Sequence, residues 1–289
     1  MKTHGPLREA LALKERAGSS GQASSRALAS GAGWRVSDVL CTSGPRDRAF
    51  EERHGGVAIA AVLAGTFSYR GSHGRALMTP GSLLLGNSET CFSCGHEHGE
   101  GDRCLSFYFD AAVFERIAAD VGARRAEFSR NRIAANRATA PAITHALQLL
   151  HGQADAAEVA YSLAALALRM NQSVRVAATS LRDERRVIDV VRWLEQSIAE
   201  PHTLDALAGR AHLSPYHFLR VFKSVVGASP HQFILRARLR LAAQQLVATA
   251  EPVTAIAYSV GFSDLAHFTR SFSAEFGMSP MRYRSGARI

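Results

Sequence analysis

The chain has 289 residues and a formal net charge of +9, with 47% hydrophobic and 20% charged residues. This length suits two domains of ordinary size, and the composition is globular, which excludes collagen-like and wholly disordered chains. No run of about 18 uncharged apolar residues is present, so the sequence predicts no membrane-spanning helix.

The N-terminus does not resemble a signal peptide, because Arg8, Glu9 and Lys14 interrupt any apolar stretch. Four cysteines in a chain without an export signal indicate reduced thiols. We therefore expect a cytoplasmic protein. The positive charge favours an acidic partner, although a genome that prefers Arg to Lys would produce the same bias.

Residues 1–33 are rich in Ala, Ser and Gly, and we expect a flexible tail with a short helix around Leu7–Arg16. From Trp34 to Asp110, short apolar runs alternate with glycines, which is typical of a β-barrel or sandwich. The predicted strands are Val57–Leu63, Gly65–Arg70, Ala76–Met78, Ser82–Leu85, Cys91–His96 and Cys104–Phe109.

Three helices are predicted after Asp110, at Val113–Val121, Ala140–His151 and Ala156–Met170. The last two have apolar faces that suit either packing on the β-domain or pairing with a second subunit. We expect a sensor and dimerisation domain over 34–170, a linker over 171–182 and a final domain over 183–289. The fold class is thus α+β and multidomain.

The final hundred residues contain an internal repeat of two copies, fifty residues apart. The positions that recur are His217, Phe218, Arg220, Phe222, Gly227, Ser229 and Pro230, which return as His267, Phe268, Arg270, Phe272, Gly277, Ser279 and Pro280. This pattern predicts a duplicated supersecondary unit.

Each copy has the pattern of a helix-turn-helix, at about 204–227 and 253–277. In the first copy, a helix over Leu204–Ala211 precedes a tight turn, and Ser214-Pro215 opens the second helix. Ser263-Asp264 has this role in the second copy. Gly227 and Gly277 end the second helices. One long helix over Gln232–Ala248 joins the copies.

These second helices suit DNA recognition because their apolar residues fall on one face and leave the other face free. A helix of this width fits the major groove of double-stranded DNA, where side chains distinguish all four base pairs. Two such helices on one support would enter successive grooves on one side of the duplex.

The segment Ala255-Ile-Ala-Tyr-Ser-Val-Gly-Phe-Ser263, with Phe268-Thr-Arg-Ser-Phe272 and Gly277-Met-Ser-Pro280, closely resembles the AraC/XylS-type transcription regulators. The resemblance covers about 185–286 and implies a sequence-specific regulator that acts with RNA polymerase. It places DNA contacts at Tyr216, Leu219, Arg220, Leu265, Ala266, His267, Thr269 and Arg270. Lys223, beside them, is a candidate phosphate contact. Leu265 and Ala266 are apolar where polar readers are common.

The N-terminal half resembles, more loosely, the cupin-like barrel that commonly precedes this DNA-binding unit. The similarity lies in Thr79-Pro-Gly-Ser-Leu-Leu-Leu85 and in the strand that ends at His98. It implies a small-molecule effector and a homodimer formed through the helices that follow. The cluster described next adds a metal or a redox signal as possible effectors.

A cluster of soft ligands lies in this half: Cys94, His96, His98 and Cys104. Alternate residues of an extended strand point to the same face, so Cys94, His96 and His98 share one face. A hairpin after them would bring Cys104 back to the same place. This set suits zinc or a similar metal. Alternatively the thiols sense oxidants, since His and Arg103 nearby favour thiolate, or the cluster is structural. Cys91 is a weaker candidate, and Cys41 has no evident partner.

No catalysis is expected. Two other functions remain open at this point: a cupin-type metalloenzyme, because His96-Glu-His98 is similar to an oxygenase ligand pair, and a methyl-accepting repair regulator with a zinc-activated cysteine.

Overall fold

A computed structural model describes residues 4–47, 49–96, 101–171 and 180–286. The chain divides into two compact units. The N-terminal unit comprises Thr3–Ala135 and Leu149–Arg175, and the C-terminal unit comprises Asn136–Gln148 and Val176–Ile289.

The N-terminal unit consists mainly of antiparallel strands. They are β1 (Ala23–Gly31), β2 (Trp34–Cys41), β3 (Phe50–Arg53), β4 (Val57–Gly65), β5 (Phe67–Gly71), β6 (Gly74–Met78), β7 (Leu83–Gly86), β8 (Cys91–Gly95), β9 (Asp102–Phe109) and β10 (Arg132–Ile133). The order in a six-stranded sheet is β1-β2-β9-β4-β7-β10, and in a four-stranded sheet β3-β8-β5-β6. The six strands predicted from the sequence are present with shifts of a few residues at their ends.

The two sheets face each other across an apolar core. Side chains of β4, β7 and β9 from one sheet pack in a single cluster with side chains of β5, β6 and β8 from the other. The members are Ala60, Val62, Phe67, Tyr69, Met78, Leu84, Cys94 and Cys104. The predicted α+β class is confirmed, with the β-domain built as two packed sheets.

The prediction of a flexible tail over 1–33 is wrong for the residues of this segment that the structure describes. The short helix is present as α1 (His4–Ala17), and β1 pairs with β2 over nearly its full length. Lys14 fixes the helix through an ion pair with Asp47, 2.8 Å from Nζ to Oδ2. β1 contains few large apolar residues because it lies at the edge of the sheet, where hydrogen bonds between its backbone and that of β2 supply most of its contacts.

The helices predicted after Asp110 are present as α2 (Ala111–Asp120), α3 (Ala140–Leu150) and α4 (Ala156–Met170). α4 packs against α2 and against β1, β2 and β4. The expected domain 34–170 is nevertheless interrupted, since Asn136–Gln148 belongs to the C-terminal unit. There the Arg137 side chain donates to the carbonyl of Ala274, 2.8 Å away.

The described part of the C-terminal unit is otherwise helical. Its further helices are α5 (Leu181–Gln196), α6 (Leu204–Arg210), α7 (Pro215–Val226), α8 (Pro230–Ala248), α9 (Val253–Ser259), α10 (Leu265–Phe276) and α11 (Pro280–Gly286). Most of the expected linker 171–182 falls on residues 172–179, outside the described residues, and α5 already begins within it. None of the described helices is long and apolar enough to cross a membrane.

Candidate nucleic-acid interface and the cysteine–histidine cluster

The first helix-turn-helix unit is formed by α6 and α7. Thr203 caps α6, since its side chain accepts from the N–H of Ala206 at 3.2 Å. Ser214 caps α7 in the same way, with Pro215 at the first helical position. α7 ends at Gly227, whose φ of 85° is the left-handed conformation that favours glycine. These local signals explain why the predicted boundaries are confirmed.

α7 buries one face and exposes the other. Its inward residues are Phe218, Val221, Phe222 and Val225, all buried as predicted. On the outward side, Arg220 and Lys223 are exposed, and Leu219 is half-buried. Tyr216 lies in the first turn of α7, but its side chain is outside the described part of the structure.

The second unit, α9 and α10, has the same arrangement with a different cap. Asp264, not Ser263, is the N-cap of α10, and its carboxylate accepts from the N–H groups of Ala266 and His267 at 3.0 and 2.9 Å. The prediction of Ser263 is wrong by one residue because two acceptors adjoin here, and the carboxylate satisfies two backbone donors at once. Asp264 thereby aligns with Ser214 at the fifty-residue offset.

The face of α10 agrees with the sequence prediction. Phe268, Phe272 and Phe276 are buried with residues of α8, α9 and α11. The candidate contacts Ala266, His267 and Arg270 are exposed, whereas Leu265 and Thr269 are half-buried.

Arg238 on the long helix α8 positions the second unit, a role that the sequence analysis missed. Its guanidinium donates to the carbonyls of Ile198, Gly261 and Glu200 at 2.8, 2.7 and 2.6 Å. Gly261 lies in the turn between α9 and α10, so one side chain joins that turn to the segment before α6. α8 contains three similar arginines, and only the contacts distinguish this one.

The cations of α7 differ in their neighbours. His217 lies 3.5 Å from Asp183 of α5, which also pairs with Arg186. In contrast, Arg220 and Lys223 form no ion pair with any residue that the structure describes. Two exposed cations therefore remain available to an anionic partner on this face.

The N-terminal unit contains a second candidate site, which differs from the predicted ligand set. Cys41, His96 and Asp102 place one ligand atom each within 4.8 Å of one another. His96 Nε2 lies 2.6 Å from Asp102 Oδ2, and Cys104 Sγ donates to Asp102 Oδ1 at 3.3 Å. Cys41, expected to have no partner, thus belongs to the cluster.

The remaining predicted ligands have different positions. Cys94 is buried in the core between the sheets, near Cys104. Cys91 is exposed, and His98 lies outside the described residues.

The electrostatics of this cluster do not favour free thiolates at Cys94 and Cys104. Burial raises the pKa of both thiols well above its usual value, and the Asp102 carboxylate raises it further. These pKa shifts do not support the alternative in which His and Arg103 favour thiolate at these cysteines. Burial also disfavours the charged form of His96, but hydrogen bonds to Asp102 and Cys41 outweigh it and raise the pKa of His96 to about 9.

Comparison with known proteins identifies both halves of the chain. Residues 207–286 match the model of a helix-turn-helix domain, and residues 39–171 match the model of the AraC-like ligand binding domain.

The curated relatives include two that match over little more than a hundred residues. The probable transcriptional regulator LumQ of Photobacterium leiognathi is 34% identical over 109 residues, 36% of this chain and 44% of that protein. The transcriptional activator RhaS of Escherichia fergusonii is 37% identical over 103 residues, 36% of this chain and 37% of that protein. The chain therefore spans less than half the length of each of these relatives.

Among solved structures, the DNA-binding domain of AdpA in complex with a target DNA is 29% identical. The match covers 36% of this chain and 93% of the AdpA chain, with a TM-score of 0.35. An AraC-type regulator from Chromobacterium violaceum is 27% identical over 37% of this chain and 96% of that chain, with a TM-score of 0.35.

Proposed function

Because this chain belongs to the AraC family of transcription regulators, we propose that it regulates transcription by inserting α7 and α10 into the major grooves of promoter DNA. The main observation is the duplicated unit, in which Arg220 and Arg270 occupy equivalent exposed positions on the two recognition helices. The apolar residues of both helices face their own cores, so the outward side chains are left to contact base edges.

The candidate contacts divide into two classes. Arg220 and Arg270 are exposed donors near the middle of their helices, and His267 is an exposed donor in the first turn of α10. All three suit hydrogen bonds to base edges. Lys223 lies one turn beyond Arg220 on the same helix, where a point charge suits a phosphate. Tyr216, Leu219, Leu265, Ala266 and Thr269 complete the proposed DNA surface, and the apolar members suit thymine methyl groups.

The N-terminal unit is proposed to bind an effector that controls DNA binding. Its match to the AraC-like ligand binding domain supports this role. A homodimer is proposed because a single pair of recognition helices reads few base pairs, and contact with RNA polymerase would convert binding into regulation.

Titration of the full chain against a DNA site selected from a random pool tests this proposal. We expect Arg220→Ala to weaken binding to that site by about 1–3 kcal/mol and to relax the base preference at one position. We expect Lys223→Ala to weaken binding to all DNA sequences alike. It should also reduce the slope of log affinity against log salt concentration by about one.

Arg169→Ala, an exposed arginine of α4, is the matched control because it removes the same charge outside the repeat. It should leave site selection unchanged. Selection that enriches no sequence, or equal small effects of all three substitutions, would contradict the proposed surface.

A further inference from the structure

The cluster in the N-terminal unit joins three chain segments at one buried point. Cys41 ends β2, His96 directly follows β8, and Asp102 begins β9. Each is no more than 5% exposed. A thiol, an imidazole and a carboxylate, enclosed within 4.8 Å of one another, are three kinds of ligand that zinc accepts in proteins.

The backbone fixes the three groups before any ligand binds. Cys41 and Asp102 are directly paired between β2 and β9, and Gly65 of β4 pairs with Asp102 from the other side. The ring of Phe67 stacks on the imidazole of His96, with centroids 5.9 Å apart. Two sheets therefore position the donors, so little ordering remains to be done on binding.

Gly101 keeps this arrangement tight. Its φ is +70°, and a Cβ there would lie 2.7 Å from the carbonyl oxygen of Cys41. Its N–H donates to the carbonyl of Ser43 at 2.8 Å. The segment that enters β9 thus approaches the end of β2 more closely than a side chain at this position would allow.

A fourth candidate donor lies beside Asp102, outside the group of three whose ligand atoms are all within 4.8 Å of one another. The Cys104 thiol is 5% exposed and already contacts the second oxygen of the Asp102 carboxylate. Two sulfurs, one imidazole nitrogen and one carboxylate oxygen make four donors, the number found in closed structural zinc sites. Softer sulfur and nitrogen donors disfavour calcium and magnesium, which prefer oxygen ligands.

We propose that Cys41, His96, Asp102 and Cys104 bind one zinc-type divalent cation that joins the two sheets of the N-terminal unit. This site replaces Cys94 and His98 of the sequence-based set with Cys41 and Asp102. It is independent of the proposed DNA contacts, because all four donors lie in the other unit.

The competing explanation is a buried His96–Asp102 ion pair that needs no metal. The two explanations differ in what they require of Cys41. A metal site needs its sulfur as a ligand, whereas an ion pair needs only a small side chain that fits.

Metal analysis of the untagged full chain, purified after growth with added zinc, tests the proposal. We expect about one zinc per chain, and after exchange with cobalt(II) we expect the visible and thiolate charge-transfer bands of a tetrahedral site. X-ray absorption on the wild-type zinc form should show two sulfur neighbours at about 2.3 Å and two lighter neighbours. This measurement needs no variant, so it decides the question even if variants unfold.

Substitutions assign the ligands. Cys41→Ser and Asp102→Asn should each lower zinc affinity by about 100-fold or more, because each alters a direct ligand and the loss of an outer-shell partner alone already costs about 10–100-fold. Cys94→Ser is the matched control, since it alters a buried thiol of the same core that is not a proposed ligand. Cys91→Ser is the exposed control. Both should retain zinc.

Three results would overturn the proposal: a wild-type chain without bound metal, a zinc shell lacking sulfur, or loss of zinc in Cys94→Ser but not in Cys41→Ser. Each leaves the DNA-binding proposal intact. Conversely, a chain that binds zinc as described but selects no DNA sequence would contradict only the proposed function.

Discussion

At the residue scale, the turn of each helix-turn-helix unit contains one residue with a left-handed backbone conformation. The residue is a histidine in the first unit and a glycine in the second. His212 has a φ of 52° in the first turn, and Gly261 has a φ of 94° in the second. His212 is exposed, so its side chain has room despite the conformational cost. At Gly261 a Cβ would overlap the carbonyl oxygen of Ala199, which leaves space for glycine alone.

We predict that Gly261→Ala destabilises the C-terminal unit by about 2–4 kcal/mol, because left-handed strain adds to the clash with Ala199. Gly277→Ala is the control, since its φ of 75° is similar but nothing lies within 4 Å of the added Cβ. We expect a cost of about 1–2 kcal/mol there. Urea denaturation followed by helical circular dichroism measures both, and equal losses would refute the close approach to Ala199.

At the element scale, helix α5 includes a carboxyl group in an unfavourable environment. Glu195 Oε1 is buried and has no hydrogen-bond partner among the described residues. Burial raises its pKa from the ordinary 4.5 to about 8, although Arg240 and Arg192 act in the opposite direction. The folded chain therefore retains a proton that the unfolded chain releases between these two values.

The contribution of Glu195 to the free energy of unfolding should therefore be greatest below pH 4.5 and should decrease as the pH rises to about 8. The slope cannot exceed about 1.4 kcal/mol per pH unit. Glu195→Gln should flatten this dependence and stabilise the protein at pH 8, while Glu200→Gln, an exposed neighbour, should not. Urea midpoints at several pH values measure the effect, and an unchanged slope in Glu195→Gln would contradict it.

Elements whose signals are local could be predicted from the sequence, and those that depend on distant partners could not. The caps Thr203 and Ser214 and the stop at Gly227 act within one turn of their helices, so their spacing identifies the repeat directly. By contrast, β1 is defined by its pairing with β2, and Cys41 acquires its neighbours only through the β2–β9 ladder. Both were missed because strand register is a property of distant residues.

At the scale of the whole molecule, two compact units divide the proposed tasks. The N-terminal unit encloses the buried polar groups of Cys41, His96 and Asp102. The C-terminal unit exposes one face of α7 and one face of α10, each with an arginine. The excess of positive charge predicts that DNA binding weakens as salt rises, because bound phosphates release their counterions.

Base-resolved footprinting of the full chain on its selected DNA tests the central claim most directly. Each bound wild-type subunit should protect two stretches about 10 base pairs apart on one side of the duplex, one for each of its recognition helices. Arg220→Ala should lose protection in one stretch and Arg270→Ala in the other, with Arg169→Ala unchanged. A single protected stretch, or two stretches that neither arginine substitution affects, would contradict an account in which both helices enter the DNA.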